Sequence, residues 1–304
     1  MSTSAPVPRD ALALAAISTT VLAWASAFVV IRWAGESYAA GPLALGRLLI
    51  GSGALGALLL LRRAWIAPTT REWGLLTVCG LGWFAVYNVA LNAAEQHLDA
   101  GTTAMLVNIG PILIALLAGL LLGEGFPRWL LGGAAIAFVG ALMIGAANAS
   151  ADDASLLGVS LAVVAAVTYA IGVLAQKPVL RRLPALQVTW LACTIGAVAC
   201  LPYSSALLDD VAGASPAQTA GLLYLGLVPT SLAFVTWAYA LARTDAGRLG
   251  VTTYLVPPLT ILAGWFLLGE SPLLLALVGG AVCLVGVAVS RRRPAQMPVG
   301  EPAV

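Results

Sequence analysis

The chain has 304 residues, of which 61% are apolar and 9% charged, with a mean hydropathy of +0.97. A soluble globular chain carries about 25% charged residues, so this one cannot cover a water-facing surface. The net charge of +2 gives no basic field for nucleic acid. The composition is that of an integral membrane protein.

Ten apolar segments are long enough to cross a bilayer as helices: 11–31, 41–61, 73–94, 102–122, 129–147, 156–175, 187–208, 219–242, 249–268 and 272–290. Alternating ten-residue strands, the mark of an outer-membrane barrel, are absent from the pattern. The first segment follows Arg9 and contains Ala25-Ser26-Ala27, which imitates a signal-peptide cleavage site. With nine further segments behind it, it is read as an uncleaved first helix. The second contains Arg47, about six residues, or roughly 9 Å, from one end at 1.5 Å per residue. A long stem lets such a charge snorkel, and Glu95 or Glu36 is the expected partner in a structural ion pair, an anion site being the lesser reading.

The third segment places Asn88, Asn92 and Glu95 at i, i+4 and i+7, one stripe on one face. Unpaired amides in lipid cost on the order of several kcal/mol each, so the stripe must face protein or water. Pro111 stands near the middle of the fourth segment, Pro229 within the eighth, and Pro257 near the middle of the ninth. Proline removes a donor and clashes with the carbonyl four residues earlier. The carbonyls of Val107 and Thr253 are therefore expected to be freed at membrane depth, where water, a side chain or a substrate must satisfy them. The fifth and tenth segments carry Gly133 and Gly140, and Gly279 and Gly286, at matching seven-residue spacing. Small residues let helices approach closely in lipid, so these glycines are read as packing positions. The four cysteines lie in apolar stretches without CxxC spacing, and are read as small buried hydrophobes.

Thirteen arginine and lysine residues fall on the side shared by both termini, against Arg32 alone on the other. The positive-inside rule then places both termini in the cytoplasm. The chain also repeats itself. Asp99-Ala100-Gly101 matches Asp245-Ala246-Gly247 at a displacement of 146, which also carries Pro111 onto Pro257, Leu122-Gly123-Glu124 onto Leu268-Gly269-Glu270, and Gly133 and Gly140 onto Gly279 and Gly286. Trp24 and Arg32 match Tyr169 and Lys177 at 145. Five spans per copy is an odd number, so the second copy enters the membrane inverted, the architecture of secondary transporters. The expected division is a tail at 1–10, one five-helix unit at 11–147, a connection at 148–155, a second unit at 156–290 and a tail at 291–304.

The repeated Gly-Glu turn, with glycines nine and sixteen residues later, resembles the EamA-type repeat of ten-span drug/metabolite transporters, among them the YddG type that exports aromatic amino acids. The resemblance implies that helices 1, 3, 4, 6, 8 and 9 surround a central cavity. On those helices lie Trp24, Tyr87, Asn88, Asn92, Asn108, Tyr169, Trp237 and Tyr254, the expected substrate-binding set, with Trp83 beside them. Pro111, Pro229 and Pro257 are expected to break or gate the helices. Together these residues describe a pocket of flat apolar walls with neutral hydrogen-bonding groups.

No acidic residue lies at mid-membrane, and the single histidine, His97, falls on a connection. A proton relay commonly uses such groups. No Walker A motif, metal-ligand cluster, cofactor signature or nucleophile–His pair is visible, so neither an enzyme nor a primary pump is expected. The expected partners are the lipid bilayer and a neutral or zwitterionic solute, with no nucleic acid; a monomer suffices for the reading. The expected function is export of amino acids, bulky neutral ones favoured, or of similar metabolites, as a facilitator in the cell membrane. Transport of drugs or of phosphorylated or nucleotide-linked sugars is the alternative within the superfamily. A channel would need a polar stripe through several spans, whereas here it is confined to the third and fourth.

Overall fold

The computed structural model describes residues 9–63, 65–98, 103, 106–148, 155–268, 273–290 and 292, and no strand occurs among them. The tail at 1–8, most of the connection at 148–155, Asp99 to Gly101, Glu270 and the tail from 293 lie outside the described residues. In chain order the helices are α1 (Arg9–Ala34), α2 (Ala40–Arg62), α3 (Thr70–Cys79), α4 (Tyr87–Ala94), α5 (Ile109–Leu121), α6 (Arg128–Asn148) and α7 (Leu156–Val179). There follow α8 (Ala185–Ala199), α9 (Ser204–Gly213), α10 (Pro216–Leu225), α11 (Ala233–Leu241), α12 (Ala246–Thr252), α13 (Val256–Leu268) and α14 (Leu274–Ser290).

Five continuous runs are long and apolar enough to cross a bilayer: Ala11–Ala34, Ala40–Arg62, Thr70–Ala94, Leu156–Val179 and Pro216–Leu241. The apolar helices Ile109–Leu121, Arg128–Ile144 and Leu274–Ser290 are shorter. The protein is a multi-pass, all-helical membrane protein. The segment expected to run unbroken over 187–208 does not. It stops at Ala199, and Leu201–Gly213 leaves it at 53°. Pro202 explains the break: it sits in a 3₁₀ turn, Leu201–Tyr203, where a missing N–H is tolerated and a continued α-helix is not.

Two of the long runs are not plain α-helix. Gly80–Val86 joins α3 to α4, and Gly226–Leu232 joins α10 to α11; both are seven-residue π segments. Their bounds differ by 146 positions at each end, the displacement of the sequence repeat. Sequence gave no warning at Gly80, because GLGWFAV contains nothing that forbids an α-turn.

Close packing follows the glycines. A Cβ on Gly140 would stand 2.5 Å from the Gly279 carbonyl oxygen, and one on Gly133 2.6 Å from that of Gly286. These pairs run in opposite order along the two helices, so α6 and α14 lie antiparallel with backbones touching. Between them the Cys283 thiol donates to the Ala137 carbonyl at 3.3 Å. Likewise the Cys193 thiol of α8 donates to the Leu48 carbonyl of α2 at 3.5 Å. All four cysteines are free and buried.

Helix ends are tied by side chains. Thr69 and Glu72 form a capping box at the start of α3. Glu72 also pairs with Arg182, and this hydrogen bonding holds the Arg182 guanidinium above its ordinary value. Glu124 accepts from the N–H groups of Ala246 and Gly247 at 2.8 and 3.1 Å. It caps α12, more than a hundred residues away, because a carboxylate is favoured where unpaired N–H groups converge. Lys177 caps the opposite kind of end, donating to the carbonyls of Leu241 and Thr244 just past α11.

Candidate functional site

Aromatic rings from five elements meet in one cluster. Trp24 of α1 lies 5.1 Å from Trp237 of α11 and 6.1 Å from Trp83, centroid to centroid. Trp83, in the first π segment, lies 5.2 Å from Tyr169 of α7 and 4.8 Å from Phe234 of α11. Tyr87 completes the set at 6.0 Å from Tyr169. Such edge-on and tilted pairs are favourable beyond their buried area. Trp83 reaches α7 because Gly172 has no side chain to meet it.

This cluster forms one wall of a cavity of about 70 Å³. Trp24, Tyr87, Asn88, Asn108 and Tyr169 all line it, with Pro111 and Pro257. The remaining expected substrate residues do not. Trp237 stands behind the wall, packed on Trp24. Tyr254 is fully buried and donates its hydroxyl to the Asn108 carbonyl at 2.8 Å. Asn92 turns to α2 and donates to the Ala40 carbonyl at 3.1 Å. It shares a helix face with Asn88, but lies one turn beyond the cavity.

The prolines act differently from expectation. Pro111 and Pro257 stand in the first turns of α5 and α13 rather than inside running helices. There a missing N–H costs nothing, since first-turn donors have no intrahelical partner. The Thr253 carbonyl, expected to be free, accepts from the Val256 N–H in the 3₁₀ turn Thr253–Leu255. Pro229 lies inside the second π segment, and its carbonyl accepts from the Trp24 indole at 3.2 Å. Asn88 does comparable work in the first: its amide nitrogen donates to the carbonyls of Phe84 and Trp83 at 2.8 and 3.3 Å. Its Oδ1 is buried without a hydrogen-bond partner.

Arg47 departs most from expectation. It is 4% exposed and lines the cavity, and Nε donates to Thr230 Oγ1 at 3.0 Å. The expected ion pair with Glu95 is not among the ion pairs of the described residues. Glu95 sits past the end of α4, one of its carboxylate oxygens buried without a partner. No cluster of histidine, cysteine or acidic residues among the described residues could hold a metal ion.

Two stretches, 11–146 and 156–292, each match the EamA-like transporter family. The chain belongs to that family. It is thus a transporter of the drug/metabolite superfamily, and its two halves are copies of one EamA unit. Among EamA-like proteins it is 38% identical to a probable terminal-alkyne amino-acid exporter of Streptantibioticus cattleyicolor, over 91% of this chain and 93% of that one. It is 32% identical to the uncharacterized transporter YdfC of Bacillus subtilis, over 87% and 86%. A probable amino-acid metabolite efflux pump of Salmonella typhimurium matches at 25% identity over 89% and 91%. One protein of known crystal structure shares the fold, with a TM-score of 0.74 at 21% identity, covering 93% of this chain and 98% of that one.

Sequence reasoning passed over several lining residues of this EamA-like protein. Phe28 and Phe234 line the cavity, and each had a signal: Phe28 is one turn after Trp24, and Phe234 three residues before Trp237. Val256 and Thr260 also line it, and nothing in their local sequence distinguishes them.

Proposed function

We propose that the protein is an alternating-access exporter of amino acids or closely similar small metabolites, with bulky neutral side chains favoured. The observation that carries this reading is an aromatic cavity lined by residues of both EamA copies. Trp24, Trp83, Tyr87 and Tyr169 supply flat apolar walls for a side chain, while Asn88 and Asn108 supply neutral polar groups. Two relatives with amino-acid export or efflux in their names support the substrate class.

The ten apolar segments act as ten spans in two inverted five-helix units, 11–147 and 156–290. Matching π segments support this, as do three contacts between residues 145 or 146 positions apart: Leu48 with Cys193, Asn108 with Tyr254, and Ala137 with Cys283. Repeat mates touch where a pseudo-two-fold axis runs between copies. Both termini lie in the cytoplasm and the protein resides in the cell membrane, on the arginine asymmetry. Pro111, Pro229 and Pro257 are hinge points for the exchange of access. Transport runs down the solute gradient.

Counterflow in proteoliposomes tests this, with amino acids set against nucleotide sugars and quaternary amines. Saturable exchange of bulky neutral amino acids is expected. Exchange confined to either of the other groups would sink the proposal, and a flux that collapses when only the proton gradient is removed would sink its uncoupled part.

A further inference from the structure

The cavity is lined by a charge, Arg47, with no counter-ion in contact among the described residues. Arg47 is nearly fully buried, and its Nε donates to Thr230 in the second π segment. Among the described residues no carboxylate lies within ion-pair distance of it. Tyr87 and Glu95 act on it only through space. A buried guanidinium carries five N–H donors and is stabilised by a planar anion that meets two of them at once. Leaving such a group unpaired is costly, a cost that persists where function needs the charge. Thr230 holds Nε, and Arg47 lines the cavity. In the same cavity Asn88 Oδ1 is a buried acceptor with no partner, on a residue 1% exposed.

We propose that Arg47 is the anchor for the substrate carboxylate, that Thr230 orients it, and that Asn88 Oδ1 accepts from the substrate ammonium. The ligand class is then an α-amino acid held by its zwitterionic head, with its side chain against the aromatic wall. This rests on the amino-acid reading above and deepens it: recognition falls on the invariant part of the solute, so the aromatic surface alone sets side-chain preference. A phosphorylated sugar lacks the ammonium, and a quaternary amine lacks the anion.

The test uses matched pairs in proteoliposome counterflow: L-phenylalanine with L-phenylalaninamide, and L-leucine with L-leucinamide, each competing against the labelled acid. Each amide keeps the side chain and the amine and loses the carboxylate. In the unaltered protein the acid is expected to compete at least tenfold better than its amide. Arg47→Gln is expected to weaken the acid at least tenfold while changing the amide less than threefold. Thr230→Val keeps the charge but removes its orienting bond, and is expected to weaken the acid several-fold without changing the amide. Amides that compete as well as acids in the unaltered protein overturn the carboxylate anchor and leave amino-compound transport standing, and this arm needs no variant to fold. Acid and amide weakened equally in folded Arg47→Gln protein overturn it also. If neither acid exchanges while nucleotide sugars do, the amino-acid reading itself has failed.

Discussion

The Tyr254 hydroxyl donates to the main-chain carbonyl of Asn108 at 2.8 Å, and the two residues stand 146 positions apart, the displacement that relates the two EamA copies. Each copy thereby holds the other at the edge of the cavity. Replacing Tyr254 with Phe removes the donor and keeps the ring. A loss of about 1 kcal/mol is expected, the usual contribution of such a bond. Thermal unfolding in detergent measures it, and an unchanged midpoint would refute the role.

The antiparallel contact of α6 and α14 has a built-in control. Gly132 has open space where a Cβ would go, whereas its neighbour Gly133 would meet the backbone of Gly286 and Ser290. Gly133→Leu is expected to cost about 1–3 kcal/mol, as overpacking does, and to lower folded yield. Gly132→Leu should leave yield near that of the unaltered protein. Equal losses at both positions would show that general crowding, not backbone contact, is at work.

Glu124 caps α12 with both carboxylate oxygens. Glu124→Ala is expected to cost about 0.5–2 kcal/mol, the range for a lost N-cap. Amide hydrogen exchange should rise at Ala246 and Gly247 and not in α6. Exchange unchanged at these two amides would show that the carboxylate is dispensable.

Position relative to the cavity separates two residues that share a helix with it or face it. Trp24 lines the space and Asn92 does not. Trp24→Ala is expected to weaken substrate at least about tenfold, a change of ~1.4 kcal/mol, with folding retained. Asn92→Ala should lower stability through its lost bond to Ala40 and keep apparent affinity within about twofold. Quenching of tryptophan fluorescence by a transported amino acid reads both, and the reverse order would displace the site from this cavity.

Hydropathy located the helices because apolar length is a local property that a bilayer demands of each segment separately. The aromatic wall was legible for a related reason: the duplication marked Trp24 and Tyr169, and both face the cavity. What failed was partner choice. Arg47 was matched to an acidic residue by charge, whereas its partner is a neutral threonine 183 positions away. Asn92 was grouped with Asn88 by helical spacing, and spacing gives direction around an axis but not depth along it. The prolines were read as breaks in the fourth and ninth segments, and Pro111 and Pro257 stand where α5 and α13 begin, a place where their geometry is welcome.

The widened turns at Gly80–Val86 and Gly226–Leu232 share only their first two letters, Gly-Leu, yet occupy matching places in both copies. A turn of this kind absorbs one surplus residue. Rewound as ordinary α-helix, the same letters would swing Tyr87 and Asn88 by about 100° relative to α3, since each residue advances an α-helix by that angle. Both copies keep the surplus at the same place although five of the seven letters differ, so the side chains that follow it keep their direction in each.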